Sequence, residues 1–266
     1  MPSPGKGEID AVVLAGAPND GVLREVSDEP WEALIKVAGK PLVRYPVEAL
    51  RGAASVGRIV VVGPKPELEE ALAGLGVEVV PHGEDILETA LIGSRHLAAG
   101  PESAPGLVLF ATADTPLITS EIVDGLVRRC LELGGEVFYP IIERSVMEER
   151  FPDTRRTYAT LRDGTFTGGN LFLADPTAVE REQATARALI KARKNPVRMA
   201  QILGLSFILR LVFGLLDVAG LEAHVGRTFG LEARAVIVPW PEIGIDVDKP
   251  KDLELVAVLL ERERTG

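Results

Sequence analysis

Cysteine is nearly absent from this sequence. Cys130 is the single one in 266 residues, which excludes a disulfide within the chain and any metal cluster built from cysteines alone. The surrounding LVRRCLELG is typical of a helix, and a buried thiol behaves as a small apolar side chain. We therefore expect Cys130 to be a packed helix residue.

Positive charge is also scarce. The chain carries 29 Lys and Arg residues against 39 Asp and Glu residues, a formal net charge of −10. Such a field repels polyanions, so no nucleic acid and no anionic membrane is expected as the main partner. A small anionic substrate is compatible with this net charge if a Lys, an Arg or a divalent metal neutralises the substrate's charge at its binding site.

Long apolar runs are missing as well. The first ten residues, MPSPGKGEID, lack the apolar core of a signal peptide, so a cytoplasmic location is expected. The most apolar segment, residues 202–218, contains Arg210 and is shorter than the ~20 apolar residues that cross a bilayer, which predicts no stable membrane span. We expect a buried or partner-facing helix there. Contact with a membrane surface is the alternative, because Arg193, Lys194 and Arg198 give the segment a basic flank.

What the sequence does contain is a regular alternation of strands and helices. Strands are predicted at residues 11–15, 58–62, 77–81, 106–111 and 235–240, and helices at residues 40–51, 67–73, 86–99, 121–133 and from 252 onward. This alternation is typical of an α/β domain whose parallel sheet is covered by helices on both faces. We expect a single domain over residues 1–266, with a helical insertion at about 180–230.

Acidic residues stand where two of these strands end. Asp114 follows the fourth strand, and Asp246 and Asp248 follow the last one. Ligands of such sheets bind at the carboxyl ends of the strands, and Mg²⁺ is commonly held there by one or two carboxylates together with substrate phosphates. The aspartates therefore predict a metal site; the alternative is a capping role for Asp114 and turn positions for the other two. The loop that begins at Gly16 is short and polar enough for its backbone N–H groups to meet a phosphate.

Five segments carry a resemblance to a known family. They are, in order, VVLAGA, GKPL, ATADTPLIT, TGGNLFLADP and IGIDVDKPKDLE. Together they resemble the nucleotidyltransferases of the molybdenum-cofactor (MobA-like) and sugar-nucleotide class over about residues 8–260. The resemblance implies a Rossmann-like three-layer α/β/α fold with a mostly parallel central sheet, of the GT-A-like kind. It also implies transfer of NMP from an NTP to a small phosphorylated acceptor, a sugar phosphate or cofactor precursor, with Mg²⁺ (or Mn²⁺) and release of pyrophosphate.

The resemblance further implies roles for individual residues. Asp114 would be the first metal ligand and Asp246 the second, with Asp248 in support. The nucleotide-binding residues would be Leu14, Ala15, Gly16, Ala17 and Thr89. The segment that faces the acceptor would be Thr167, Gly168, Gly169 and Asn170, for which a Gly-rich turn between two strands is the alternative.

The sequence departs from the family pattern at Glu32. This residue stands where the family has a phosphate-binding lysine, and Lys36 stands where it commonly has proline. A glutamate cannot stabilise the negative charge of a leaving pyrophosphate. Either Lys36 or Lys40 reaches the phosphates, or Glu32 orients a cation or an acceptor hydroxyl, or the protein binds nucleotide without transfer. We take Lys36 as the catalytic cation, because Lys40 belongs to the GKP turn and Arg24, in the first loop, has the wrong spacing for a direct match.

A basic run precedes the apolar segment. Lys191, Arg193, Lys194 and Arg198 lie within eight residues, and Lys194 is the predicted ligand of an acceptor phosphate. The neighbouring apolar segment would hold a lipid-like acceptor or pack on a second subunit, giving a homodimer. The alternative is a helical insertion packed on the main sheet, with a solvated basic edge.

Two rival functions stay open at this point. Glu32 suggests a nucleotide-binding regulatory protein of the same fold that no longer turns over. A glycosyltransferase that uses a nucleotide sugar is less favoured, because Asp114 is followed by Thr115 and Pro116 and forms no D-x-D.

Overall fold

The computed structural model describes residues 9–99, 106–192 and 196–265. The strands are β1 (Ile9–Leu14), β2 (Lys36–Val37), β3 (Lys40–Pro41), β4 (Val56–Gly63), β5 (Glu78–Pro81), β6 (Val108–Thr112), β7 (Val137–Glu143), β8 (Ala159–Leu161), β9 (Gly164–Gly168), β10 (Leu171–Ala174) and β11 (Ala233–Ile237). The helices are α1 (Arg44–Gly52), α2 (Lys65–Ala71), α3 (Ile86–Ala98), α4 (Ser120–Leu133), α5 (Arg144–Arg150), α6 (Pro176–Arg181), α7 (Gln183–Ala192), α8 (Pro196–Leu203), α9 (Leu205–Val212), α10 (Val218–Phe229) and α11 (Pro250–Thr265).

A nine-stranded sheet forms the centre of the fold. Its order is β5-β4-β1-β6-β10-β7-β9-β8, and β11 pairs with β7. The strands run in the same direction except β9 and β10, each of which pairs antiparallel with β7. Central β1 is buried on both faces: Val13 packs in the core that includes α1 and α4, and Val12 packs in the core that includes α3. The predicted three-layer α/β/α fold with a mostly parallel sheet is confirmed.

The first half follows the predicted order of elements, with one correction. Residues 40–51 were expected to form one helix, but Lys40 and Pro41 form β3, which pairs with β2 in a separate hairpin. Ala38 and Gly39, at φ values of 47° and 81°, make the turn of this hairpin. Backbone with positive φ cannot continue into a right-handed helix, so α1 begins only at Arg44.

Helix α4 has the predicted start and the predicted core residue. The hydroxyl of Thr119 accepts from the backbone N–H of Ile122 at 3.4 Å, which caps the helix. Cys130 is fully buried in this helix, as expected. Burial raises the pKa of its thiol to about 12, so the thiol stays protonated and unreactive at neutral pH.

Helices α6 to α10 all lie between β10 and β11. The apolar segment 202–218, expected to be one helix, is broken: Gly204 and Gly214 have φ values of 88° and 63°, and α9 lies between them. Helix α9 buries Phe207 and leaves Val212 and the adjacent Phe213 largely exposed. Among the described residues, no helix has the length and apolar character needed to cross a membrane.

Candidate functional site

The carboxyl ends of β1 and β6 form the floor of the site. Leu14 and Thr112 lie opposite each other in the parallel register of these strands. The backbone N–H of Ala113 donates to the carbonyl of Leu14 at 3.1 Å. This pairing places the loop that begins at Ala15 directly beside Asp114.

One backbone hydrogen bond brings the C-terminal aspartates to the same place. The N–H of Val247 donates to the carbonyl of Asp114 at 3.0 Å, so Asp246 and Asp248 flank the point of contact. The N–H of Asn170 donates to the carbonyl of Ile243 at 3.0 Å. Asn170 therefore helps to hold the segment that carries the two aspartates.

The two glycines of the TGGN segment are required by close packing. A Cβ on Gly169 would lie 2.4 Å from Cγ2 of Ile243, and a Cβ on Gly168 would lie 2.1 Å from the phenol oxygen of Tyr139. The segment ends β9 and leads into β10. The segment is thus a Gly-rich connection between two strands, and its packing supports the aspartate segment.

Asp114, Asp246 and Asp248 form an acidic cluster. Each offers one carboxylate oxygen, and these oxygens all lie within 4.8 Å of one another. Oδ1 of Asp114 is buried and accepts no hydrogen bond from the residues that the structure describes. A buried carboxylate oxygen without a donor is costly unless a cation meets it, and carboxylate oxygens are the ligands that Mg²⁺ and Mn²⁺ prefer. The cluster therefore fits a hard divalent cation.

Burial and mutual repulsion raise the pKa values of two aspartates in the cluster. Burial raises the pKa of Asp114 to about 7, and the charges of Asp246 and Asp248 add to the rise while the Thr112 side chain opposes it. Burial, followed by the charge of Asp246, also raises the pKa of Asp248. Without a cation, Asp114 is thus only partly ionised at neutral pH.

Asp114 should make the metal-free protein less stable as the pH rises. Its pKa is about 7 when folded and 3.8 ordinarily, so between these values the folded state binds more protons than the unfolded state, and stability falls with pH. Asp114→Asn should remove this loss and raise the free energy of unfolding by up to roughly 4 kcal/mol near pH 8, with little gain near pH 4. Urea unfolding in the presence of EDTA, near pH 4 and near pH 8, measures this difference in the free energy of unfolding. An equal gain at both would contradict a titrating Asp114.

A cavity of about 300 Å³ opens above the ends of β1 and β6. All five residues predicted to bind nucleotide line it, together with Asp114 and Glu32; the five are Leu14, Ala15, Gly16, Ala17 and Thr89. Thr89 Oγ1 accepts from the N–H of Gly83 at 3.2 Å, which fixes the far wall of the cavity. The sequence-predicted nucleotide residues and the acidic cluster therefore meet in one place.

Glu32 faces this acidic region from the cavity wall. Burial raises the pKa of Glu32, and the charges of Asp248 and Asp20 raise it further. Of the described residues that line the cavity, none is a lysine or an arginine. Negative charge therefore dominates the cavity in the absence of a cation.

The basic residues near Glu32 in sequence have different surroundings. Lys40 pairs with Glu48 at 2.5 Å, lies 4.0 Å from the centre of the Tyr45 ring and lines a separate cavity of about 690 Å³. Arg24 Nη1 donates to the carbonyls of Asp28 and Glu29, at 2.7 and 3.1 Å, and so holds the first loop together. Both cations are occupied away from the cavity.

Lys36 lies on β2 with an exposed side chain and is not among the residues that line the cavity. Within the described parts of the chain its ammonium pairs with no carboxylate. Lys194, the predicted acceptor ligand, lies outside the described residues. The insertion does reach the cavity rim at another point, where Arg187 of α7 pairs with Asp85 at 3.1 Å.

Arg156 is a site residue that sequence reasoning missed. Its Nη1 donates to Oδ1 of Asp246, and the two side chains are only 19% and 17% exposed. The partners are 90 residues apart, and Arg156 stands in the irregular segment FPDTRRTY, which shows no periodicity. The sequence therefore offered no signal for this contact.

Comparison with known proteins gives the site a family context. Residues 24–196 match the MobA-like NTP transferase domain family. The bifunctional protein GlmU of Caldanaerobacter subterraneus subsp. tengcongensis is 32% identical over 133 residues, which make up 49% of this chain and 27% of GlmU. GlmU of Xanthobacter autotrophicus is 34% identical over 110 residues, 40% of this chain and 24% of that protein. The chain thus spans only about a quarter of the length of these relatives.

Solved structures share the fold over much more of the chain. A hypothetical transferase from Thermus thermophilus is 36% identical, with a TM-score of 0.80 over 92% of this chain and 99% of that one. CMP:2-keto-3-deoxy-manno-octonic acid synthetase, solved with CTP, is 14% identical, with a TM-score of 0.60 over 97% of this chain and 99% of that one. The second similarity is one of fold alone.

Proposed function

Because this chain belongs to the MobA-like NTP transferase family, we propose that it transfers NMP from an NTP to a small phosphorylated acceptor and releases pyrophosphate. The acidic cluster, which shares Asp114 with the cavity, carries this proposal. Asp114, Asp246 and Asp248 each place a carboxylate oxygen within 4.8 Å of the others, and Asp114 also lines the cavity whose wall holds the predicted nucleotide residues.

Asp114 and Asp246 would hold Mg²⁺ (or Mn²⁺), with Asp248 in support. Bound there, the metal would polarise a phosphoryl group and offset the charge that develops in an in-line displacement. The buried, donor-free Oδ1 of Asp114 supports this assignment.

Other residues of the chain would bind different parts of the two substrates. Ala15, Gly16 and Ala17 would meet the nucleotide through their backbone at the end of β1. Lys36 would meet the outer phosphates, since its exposed ammonium pairs with no carboxylate in the described parts of the chain. The acceptor would lie towards Gly168 and Asn170, where the packing of TGGN shapes the surface, and Lys194 is proposed as a further ligand of its phosphate.

The activity is tested by pyrophosphate release. We expect release from at least one of ATP, GTP, CTP and UTP when Mg²⁺ and a panel of sugar phosphates and cofactor precursors are supplied, and none when EDTA is added. CTP belongs in the panel because a synthetase of the same fold was solved with CTP. A thermal-shift screen of the same nucleotides with and without Mg²⁺ reports binding separately, since a ligand of the folded state raises its apparent stability.

The lack of a lysine or arginine among the described cavity-lining residues favours a second candidate. With Glu32 on the wall, the chain would be a regulatory protein that binds nucleotide without transferring it. Thermal stabilisation by an NTP, together with no pyrophosphate release from any combination of NTP and acceptor, would favour this candidate. Release of pyrophosphate would exclude it.

A further inference from the structure

Arg156 is a cation that contacts the acidic cluster directly. Its Nη1 donates to Oδ1 of Asp246, one of the three aspartates whose oxygens lie within reach of a single ion. The side chains of both partners are largely buried. Water therefore screens this pair only in part, and its charges act strongly on their surroundings.

The guanidinium also faces the side of the site that the sequence assigns to the acceptor. Tyr139 is half exposed, and its phenol lies within range of the charges of both Arg156 and Asp246. The phenol oxygen of Tyr139 in turn packs against Gly168. Arg156 and Asp246 therefore both lie near the phenol that packs against the TGGN segment.

The pairing of Arg156 with Asp246 conflicts with the binding of a cation. A carboxylate whose charge is already matched by a guanidinium attracts a divalent ion less, and the guanidinium itself repels that ion. Arg156 lies within residues 151–158, which belong to no helix or strand. Its side chain can therefore change partner without breaking an element of the fold.

We propose that Arg156 is an acceptor-recognition residue, which exchanges Asp246 for the phosphate of the acceptor when a divalent cation binds the aspartates. The inference rests on the proposed nucleotidyl transfer and names how that site takes its acceptor. A guanidinium suits this role because its planar fork binds a phosphate through two parallel hydrogen bonds. In the exchange Asp246 and Arg156 each keep a partner of opposite charge: the cation meets Asp246, and the acceptor phosphate meets Arg156.

The exchange predicts opposite effects on cation and anion binding. Mn²⁺ binding, followed by electron paramagnetic resonance, should be about tenfold tighter in Arg156→Gln than in the unaltered chain, because the competing guanidinium is gone. Arg156→Lys keeps the positive charge and should keep the weaker binding. Sulfate, used as a tetrahedral dianion, should tighten Mn²⁺ binding to the unaltered chain about threefold and have no such effect on Arg156→Gln.

The matched control is Arg162→Gln, which removes the same charge from an exposed arginine outside the small cavity that Arg156, Asp246 and Asp248 line. Its Mn²⁺ affinity should stay close to that of the unaltered chain. Mn²⁺ binding to Arg156→Gln that is equal or weaker would overturn the exchange, because Arg156 would then only hold Asp246 in place. That result would not contradict the proposed release of pyrophosphate. If neither the unaltered chain nor Arg156→Gln bound Mn²⁺, both the exchange and the metal-dependent transfer would be overturned.

Discussion

Asp114→Asn should lower the rate of pyrophosphate release about a thousandfold, and Asp246→Asn should have an effect of similar size. Both changes remove a charged oxygen from the cluster and keep the shape of the side chain. The loss should appear in turnover at saturating NTP and Mg²⁺, because the charge is needed where the phosphoryl group reacts. A pyrophosphate-release assay with the productive NTP and acceptor measures it.

Asp153→Asn is the control for this pair. Asp153 is exposed in the segment that precedes Arg156 and lies outside the acidic cluster. Its variant should keep full turnover, and circular dichroism should show that all three variants are folded. Full turnover in both Asp114→Asn and Asp246→Asn would disprove the metal assignment.

Lys36→Ala should lower kcat/KM for the NTP about a hundredfold, shared between a higher KM and a lower kcat. The physical reason is that the described lining of the nucleotide cavity holds no lysine or arginine. Lys40 is paired with Glu48, and Arg24 is held by the first loop. Lys36 is the exposed cation left on this stretch of chain to meet the outer phosphates. Steady-state kinetics at fixed acceptor concentration measures the effect, with exposed Lys65→Ala as the matched control.

A second substitution, at Glu32, tests which residue supplies the positive charge that meets the outer phosphates. Glu32→Lys places a lysine on the cavity wall, at the position where the family resemblance predicts one. In the Lys36→Ala background it should recover much of the lost kcat/KM, because either lysine can neutralise the outer phosphates. Unchanged kinetics in Lys36→Ala, with a gain in Glu32→Lys alone, would show that this chain has lost the phosphate-binding charge.

The layered fold was predictable because its signals are local. Buried strands of β-branched residues alternate with amphipathic helices, and this pattern depends on neighbours in sequence. The position of Asp114 just after β6 could be predicted for the same reason, whereas Asp246 and Asp248 lie beyond the end of β11 at Ile237 and beyond a turn at Pro241–Gly244. The meeting of these residues needed the structure, because the backbone hydrogen bond from Val247 to the carbonyl of Asp114 joins segments that no local pattern links.

Other features depend on backbone conformation or on distant contacts. The hairpin of β2 and β3 exists because Ala38 and Gly39 adopt positive φ, which the helical pattern of residues 40–51 conceals. The pairing of Arg156 with Asp246 joins parts of the chain that are adjacent only after folding. No periodicity in either segment reports such a contact, so the charge balance of the acidic cluster needed the structure.

The hydrogen bond from Val247 to the carbonyl of Asp114 has a consequence for folding kinetics. It joins the end of β6 to a segment near the C-terminus, so the proposed cation ligands come together only after a long stretch of chain has closed. Contacts of such large sequence separation form late, at a high cost in loop entropy. A cation bound at the aspartates therefore stabilises the finished fold and not the transition state. Mg²⁺ should lengthen the lifetime of the folded protein and leave its folding rate almost unchanged.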